Sequence, residues 1–143
     1  MKLLIVDDCV DIVNILSSFL ELSGHEIDKA LNGIEAVELL RKNFYDVVIT
    51  DAEMSGMDGM ELCKFIKSGS STVYIIGISG SSHALNELKE AGADICFSKP
   101  FHIDEIEKAI ENKIHSWPSE HAAPAGINDS SRLLDYLFTT AYL

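Results

Sequence analysis

The stretch VVITDAEMSGMDGMEL, Val47–Leu62, changes character at Asp51. Residues suited to a buried strand give way to an acid, and then to Gly56 and Gly59 among polar neighbours. An Asp at the end of a strand is ordinarily a turn residue. What it means here depends on what the rest of the chain can bring to it.

Outward from Asp51 the same alternation of strand and helix signals recurs. LLIV (Leu3–Val6) precedes a helical pattern in which Ile12, Ile15, Leu16, Phe19 and Leu20 share a face, with Gly24 as its stop. HEIDKAL, from His25, reads as a short second strand. Asn32 and Gly33 then lead into a helix whose Ala36, Val37 and Leu40 face inward. DVVIT is the third strand, and Asp58 can cap a helix carrying Leu62, Phe65 and Ile66. VYIIGI is the fourth strand, followed by a helix around Ala84–Ala91 that stops at Gly92. ICFS is the fifth, and a helix with Ile103, Ile106 and Ile110 follows Phe101.

Five such units with apolar, β-branched strands call for an α/β fold: a doubly wound parallel sheet with helices on both faces. Each crossover is expected to be right-handed. Ser116–Ser131 holds two of the 3 prolines and little periodicity. The expected division is therefore a domain over 1–115, a linker over 116–131 and a short helical tail over 132–143. The 28 residues from 116 to 143 are too few for a DNA-binding output domain.

Composition narrows the function. A net charge of -12 with only 11 scattered basic residues argues against nucleic-acid binding. Asp7 and Asp8 cut the apolar N-terminus short of a signal sequence, and nothing approaches the length of a membrane span. Cys9, Cys63 and Cys96 form no CxxC pair, and the 5 histidines show no ligand spacing, so a reducing cytoplasm is expected.

In doubly wound sheets the ligand crevice lies outside the carboxyl ends of the strands. The first strand ends in Asp7-Asp8, the third in Asp51, the fourth in Ser79 and the fifth in Lys99. A parallel sheet gathers all of them at one edge. Crowded carboxylates repel, and a divalent cation relieves that repulsion. Mg²⁺ prefers hard oxygens and typically takes one or two carboxylates plus phosphate oxygen. Lys99 adds a positive point charge and Ser79 a short hydrogen-bond donor. Together these groups describe an acceptor of a phosphoryl group with Asp51 as nucleophile.

LLIVDD, VVITDAEMSGMDGMEL, IIGISG and GADICFSKPF resemble the motifs of bacterial two-component response-regulator receiver domains over residues 1 to about 115. The resemblance implies a flavodoxin-like sheet of order 2-1-3-4-5. It also implies that Asp51 is the phosphoacceptor, attacking the phosphohistidine of a sensor histidine kinase or phosphotransfer protein. By the same resemblance Asp8, Asp51 and the backbone carbonyl of Glu53 bind Mg²⁺, with Asp7 acting largely through water. Ser79 and Lys99 hold the phosphoryl group, and the Lys99-Pro100 bond is cis.

Three positions depart from the family pattern. Ser55 stands where Pro is usual, Gly80 where Ala is usual, and Cys96 where an aromatic reports the switch. Phe97 is one residue out of step and, by strand alternation, belongs to the other face. The expected function is a phosphorylation-controlled switch rather than a turnover enzyme. The alternatives are a degenerate receiver used only for protein contacts and a Mg²⁺-dependent phosphohydrolase, for which Glu53 has the spacing of a second acid. The tail carries Leu133, Leu134, Leu137, Phe138 and Ala141 on one stripe. It is expected to dock on its own domain or on a second copy. A homodimer would form through the tail or through the face between the fourth and fifth helices.

Overall fold

Runs such as LLIV and VVIT leave no polar face on the central strands, so they require cover on both sides. The computed structural model describes residues 1–69 and 72–115. Its strands are β1 (Lys2–Val6), β2 (Glu26–Ala30), β3 (Val47–Asp51), β4 (Tyr74–Ser79) and β5 (Ile95–Ser98). They alternate with α1 (Val10–Leu22), α2 (Gly33–Lys42), α3 (Gly59–Gly69), α4 (Ser82–Ala91) and α5 (Ile103–His115). Every ladder is parallel, in the order β2-β1-β3-β4-β5. This is the doubly wound, flavodoxin-like sheet expected from the sequence. The expected linker and tail, 116–131 and 132–143, lie outside the described residues.

Strand alternation divides the core into two layers. Leu4, Val6, Val48 and Ile75 pack with α2, α3 and α4, while Leu3, Ile5, Val47, Ile49, Ile76 and Ile78 pack with α1 and α5. Cys96 joins the first layer and Phe97 the second, as alternation requires. The face of α1 differs from its expected one. Val13 is buried, whereas Ile15 is 58% exposed. The helix carries more apolar residues than one buried stripe can hold, so periodicity alone did not single out the inward set.

Helix boundaries follow local chemistry. The Asn32 side chain accepts from Glu35 N–H at 2.8 Å, and the Glu35 carboxylate accepts from Leu31 N–H at 2.8 Å. At the start of α3 the exchange is fully reciprocal: Asp58 Oδ1 accepts from Glu61 N–H, and the Glu61 carboxylate accepts from Asp58 N–H. Ser81 caps α4, which ends on Gly92 in the left-handed region at φ 118°. No described helix is long and apolar enough to cross a membrane.

Candidate functional site

Register places the polar strand ends side by side. Val6 pairs with Thr50 across β1 and β3, Asp51 with Ile78 across β3 and β4, and Ser79 with Ser98 across β4 and β5. The residues that follow these positions, Asp7, Asp8 and Lys99, therefore emerge around Asp51. One carboxylate oxygen each from Asp7, Asp8 and Asp51 lies within 4.8 Å of the others. Asp7 and Asp51 are buried, and Asp8 is exposed.

Lys99 is the cation of the site. Its Nζ lies 3.1 Å from Asp51 Oδ1 and 3.3 Å from Asp7 Oδ2. The second contact has no signature in the sequence, which points Lys99 only at an incoming phosphoryl group. Asp7 is further tied down because its Oδ1 accepts from Cys9 N–H at 2.9 Å. The spacing of Asp7 and Cys9 is that of an Asx turn, which is the signal that could have revealed it. The Lys99-Pro100 peptide is cis. The Lys99 N–H donates to the Ser79 carbonyl at 2.8 Å, and this links the ends of β4 and β5.

Burial pushes the Asp51 carboxyl above its ordinary range. The hydrogen bond from Lys99 opposes this, while the charges of Asp7 and Asp8 add to it. Lys99 sits above its usual range despite the opposing effect of burial, because Asp51 and Asp7 both favour its charged form. Three carboxylates facing one ammonium leave the cluster with excess negative charge. That imbalance, the all-oxygen donor set and the exposed approach at Asp8 fit a hard divalent cation.

The loop after Asp51 is shaped by close approach. A Cβ on Gly59 would lie 2.2 Å from the Asp51 carbonyl oxygen, so no other residue fits there without movement of the backbone. Gly59 N–H donates to Ala52 O at 2.9 Å, and Gly56 has φ 77°. A cleft of about 430 Å³ beside the loop is lined by Asp8, Glu53, Met54 and Ser55 among others. The Glu53 side chain is exposed and is not one of the clustered carboxylates.

Ser79 is buried, and its Oγ accepts from Ser81 N–H at 3.0 Å. Cys96 pairs with Gly77 across β4 and β5. A Cβ at Gly77 would come within 2.8 Å of Leu88 Cδ1 and 3.0 Å of Cys96 Sγ. Leu88 of α4 thus presses onto the sheet over two small residues.

The model of the response regulator receiver domain family matches residues 3–111. Sporulation initiation phosphotransferase F of Bacillus subtilis (strain 168) is 36% identical over 112 residues, covering 77% of this chain and 90% of that protein. Sensor histidine kinase RcsC of Escherichia coli (strain K12) is 32% identical over 112 residues, which are 77% of this chain but only 12% of the kinase. Response regulator protein TrrA from Thermotoga maritima, solved in complex with Mg(2+)-BeF, has a TM-score of 0.72 at 34% identity, covering 78% of this chain and 96% of that one. The family match spans the strands, the helices and the acidic edge alike, and the chain belongs to the response regulator receiver domain family.

Proposed function

We propose that Asp51 accepts a phosphoryl group from a phosphohistidine on a sensor histidine kinase or phosphotransfer protein, in a Mg²⁺-dependent reaction, and that the acyl phosphate switches the domain between signalling states. The observation that carries this reading is the convergence at one sheet edge. Asp51 is buried among two further carboxylates, with Lys99 Nζ 3.1 Å from its Oδ1. Such an arrangement holds the nucleophile in place and supplies fixed charge where charge moves in phosphoryl transfer.

In the proposed step an Asp51 oxygen forms a bond to phosphorus as the phosphorus–nitrogen bond of the donor breaks. The electron pair stays with the imidazole nitrogen, which takes up a proton from water. Lys99 exchanges its contact with Asp51 for one with a phosphoryl oxygen. Ser79 Oγ, already accepting from Ser81, keeps its own O–H to donate to the same group. Asp8, Asp51 and the Glu53 carbonyl are the proposed Mg²⁺ ligands. Asp7, buried and bonded to both Lys99 and Cys9 N–H, is suited to act through water. When bound, the cation neutralises charge on the transferring group.

The donor is read as a protein because exposed apolar residues stand at the same edge of the sheet, after β1 and β2. Val10, Leu31 and Ile34 are 50%, 41% and 59% exposed, and all follow strand ends at the carboxyl edge. Free cysteines at positions 9, 63 and 96 fit a reducing cytoplasm. Incubation with a small phosphodonor and Mg²⁺, followed by intact mass, tests the reading. The expected result is one phosphoryl adduct on the native chain and none on Asp51→Asn. An equal adduct on Asp51→Asn would refute the assignment.

A further inference from the structure

At the sheet edge opposite the acidic cluster, the loops before β3 and β4 border a groove of about 500 Å³. Its apolar wall is formed by Leu40 of α2, Phe65 and Ile66 of α3, Val73, and Phe44 from the α2–β3 loop. Phe44 is 98% exposed. An aromatic ring standing in water beside an apolar concavity is an unfinished contact, because removing its surface from water is favourable.

The end of α5 lies next to this groove. Lys113 Nζ donates to the carbonyls of Asp46 at 3.3 Å and Thr72 at 3.0 Å, and it stands 5.2 Å from the centre of the Tyr74 ring. Asp46 and Thr72 are themselves on the groove wall. The chain therefore leaves α5 where the groove begins, and residues 116–131 precede the apolar segment. A segment of 16 residues is long enough to turn the sheet edge, since even a coiled chain of that length spans about 20–25 Å.

We propose that residues 132–143 of the same chain dock in this groove, with Leu133, Leu137 and Phe138 set against Phe44, Phe65 and Val73. A helical period over 130–141 brings these three residues to one face. So short a helix is marginal alone and gains its stability from packing. The groove between α1 and α5, lined by Ile15, Phe19, Leu22 and Ile103, is the competing apolar surface. It reaches Ile103, the first residue of α5, about 18 Å of helix away from His115. The α2–α3 groove lies closer to the chain's exit. Docking there leaves the carboxyl edge open, so it does not obstruct phosphoryl transfer.

Amide exchange of the full chain tests this assignment, with sedimentation at the same concentrations. In a Leu137→Glu/Phe138→Glu variant, exchange should quicken severalfold in peptides covering 43–46 and 65–69 and stay unchanged over 52–58. The surface substitution Phe44→Ser should give the same pattern, and adding it to the tail variant should add nothing further. Three results would overturn the proposal. One is unchanged exchange at the groove in the tail variant. Another is loss of protection over Ile15–Leu22 instead. The third is protection that grows with concentration alongside a dimer, which would make a second copy the occupant.

Discussion

Asp51 carries opposite demands on its ionisation. Desolvation lifts its carboxyl above the ordinary 3.8, and the hydrogen bond from Lys99 holds it down without reversing the shift. A group whose pKa is higher in the folded state binds protons more readily there than in the unfolded chain. It therefore weakens the fold at neutral pH, and that cost is relieved as pH falls through the folded pKa toward 3.8. Asp51→Asn should raise the melting temperature of the metal-free protein at pH 7, with the gain shrinking as the pH approaches 4. A gain independent of pH would mean that ionisation is not its cause. The thiols give a second residue-scale contrast. Burial pushes Cys63 up to about 12, and Cys96 is raised for the same first reason, while Cys9 is exposed. Brief alkylation of the native protein should therefore label Cys9 first, and peptide mass mapping that found Cys63 labelled equally fast would contradict this burial. Under the proposed function, Cys96 would also bear on switching. With Gly77 opposite and Leu88 pressed over both, the α4–β5 face has little bulk that a proposed shift of Ser79 toward a phosphoryl group could rearrange. Cys96→Tyr should leave phosphorylation by a small donor unchanged while altering amide exchange in α4. The reverse pattern would place Cys96 in the reaction rather than in its readout.

At the scale of elements, the loop from Ala52 to Asp58 is the most constrained segment of the site. Gly59 ties it to β3, and its missing side chain admits the Asp51 carbonyl. Gly59→Ala should destabilise the fold by about 1–3 kcal/mol or more, since the obstruction is backbone and cannot swing aside. Urea unfolding measures this directly, and a loss below about 0.5 kcal/mol would show the contact to be loose. The sequence announced Gly59 only as a glycine near a helix start, because close approach between distant backbones has no local signature. The contact between Lys99 and Asp7 was hidden for the same reason. The convergence of Asp7, Asp8, Asp51, Ser79 and Lys99 was legible, however, because a parallel sheet sends every strand end to one edge. Strand positions and caps were also legible, being set by short-range chemistry at Asn32, Asp58 and Gly92. The inward face of α1 was not: its surplus apolar residues are divided between the core and an outer surface at Val10, Ile15 and Leu22, and only tertiary packing makes that division.

For the molecule as a whole, net charge and the acidic edge act together. A chain of net charge -12 already resists compaction through self-repulsion, and three carboxylates within 4.8 Å concentrate that repulsion at one point. A cation that binds the folded state there and has no site on the unfolded chain stabilises the fold by mass action. At a hundredfold excess over its dissociation constant the gain is about 2.7 kcal/mol. For a domain of this size each kcal/mol is worth roughly 2–8 °C in melting temperature, so saturating Mg²⁺ should raise it by several degrees. Asp8→Asn should start from a higher metal-free melting temperature, since one repelling charge is gone, yet lose most of the response to Mg²⁺. These two shifts have opposite signs and the same cause, which separates them from general damage to the fold. Calorimetry of both proteins, with the metal chelated and then at saturation, supplies the comparison. If Asp8→Asn melted lower than the native chain without metal and responded to Mg²⁺ as strongly, the acidic edge would not be the site at which cation binding and stability are coupled.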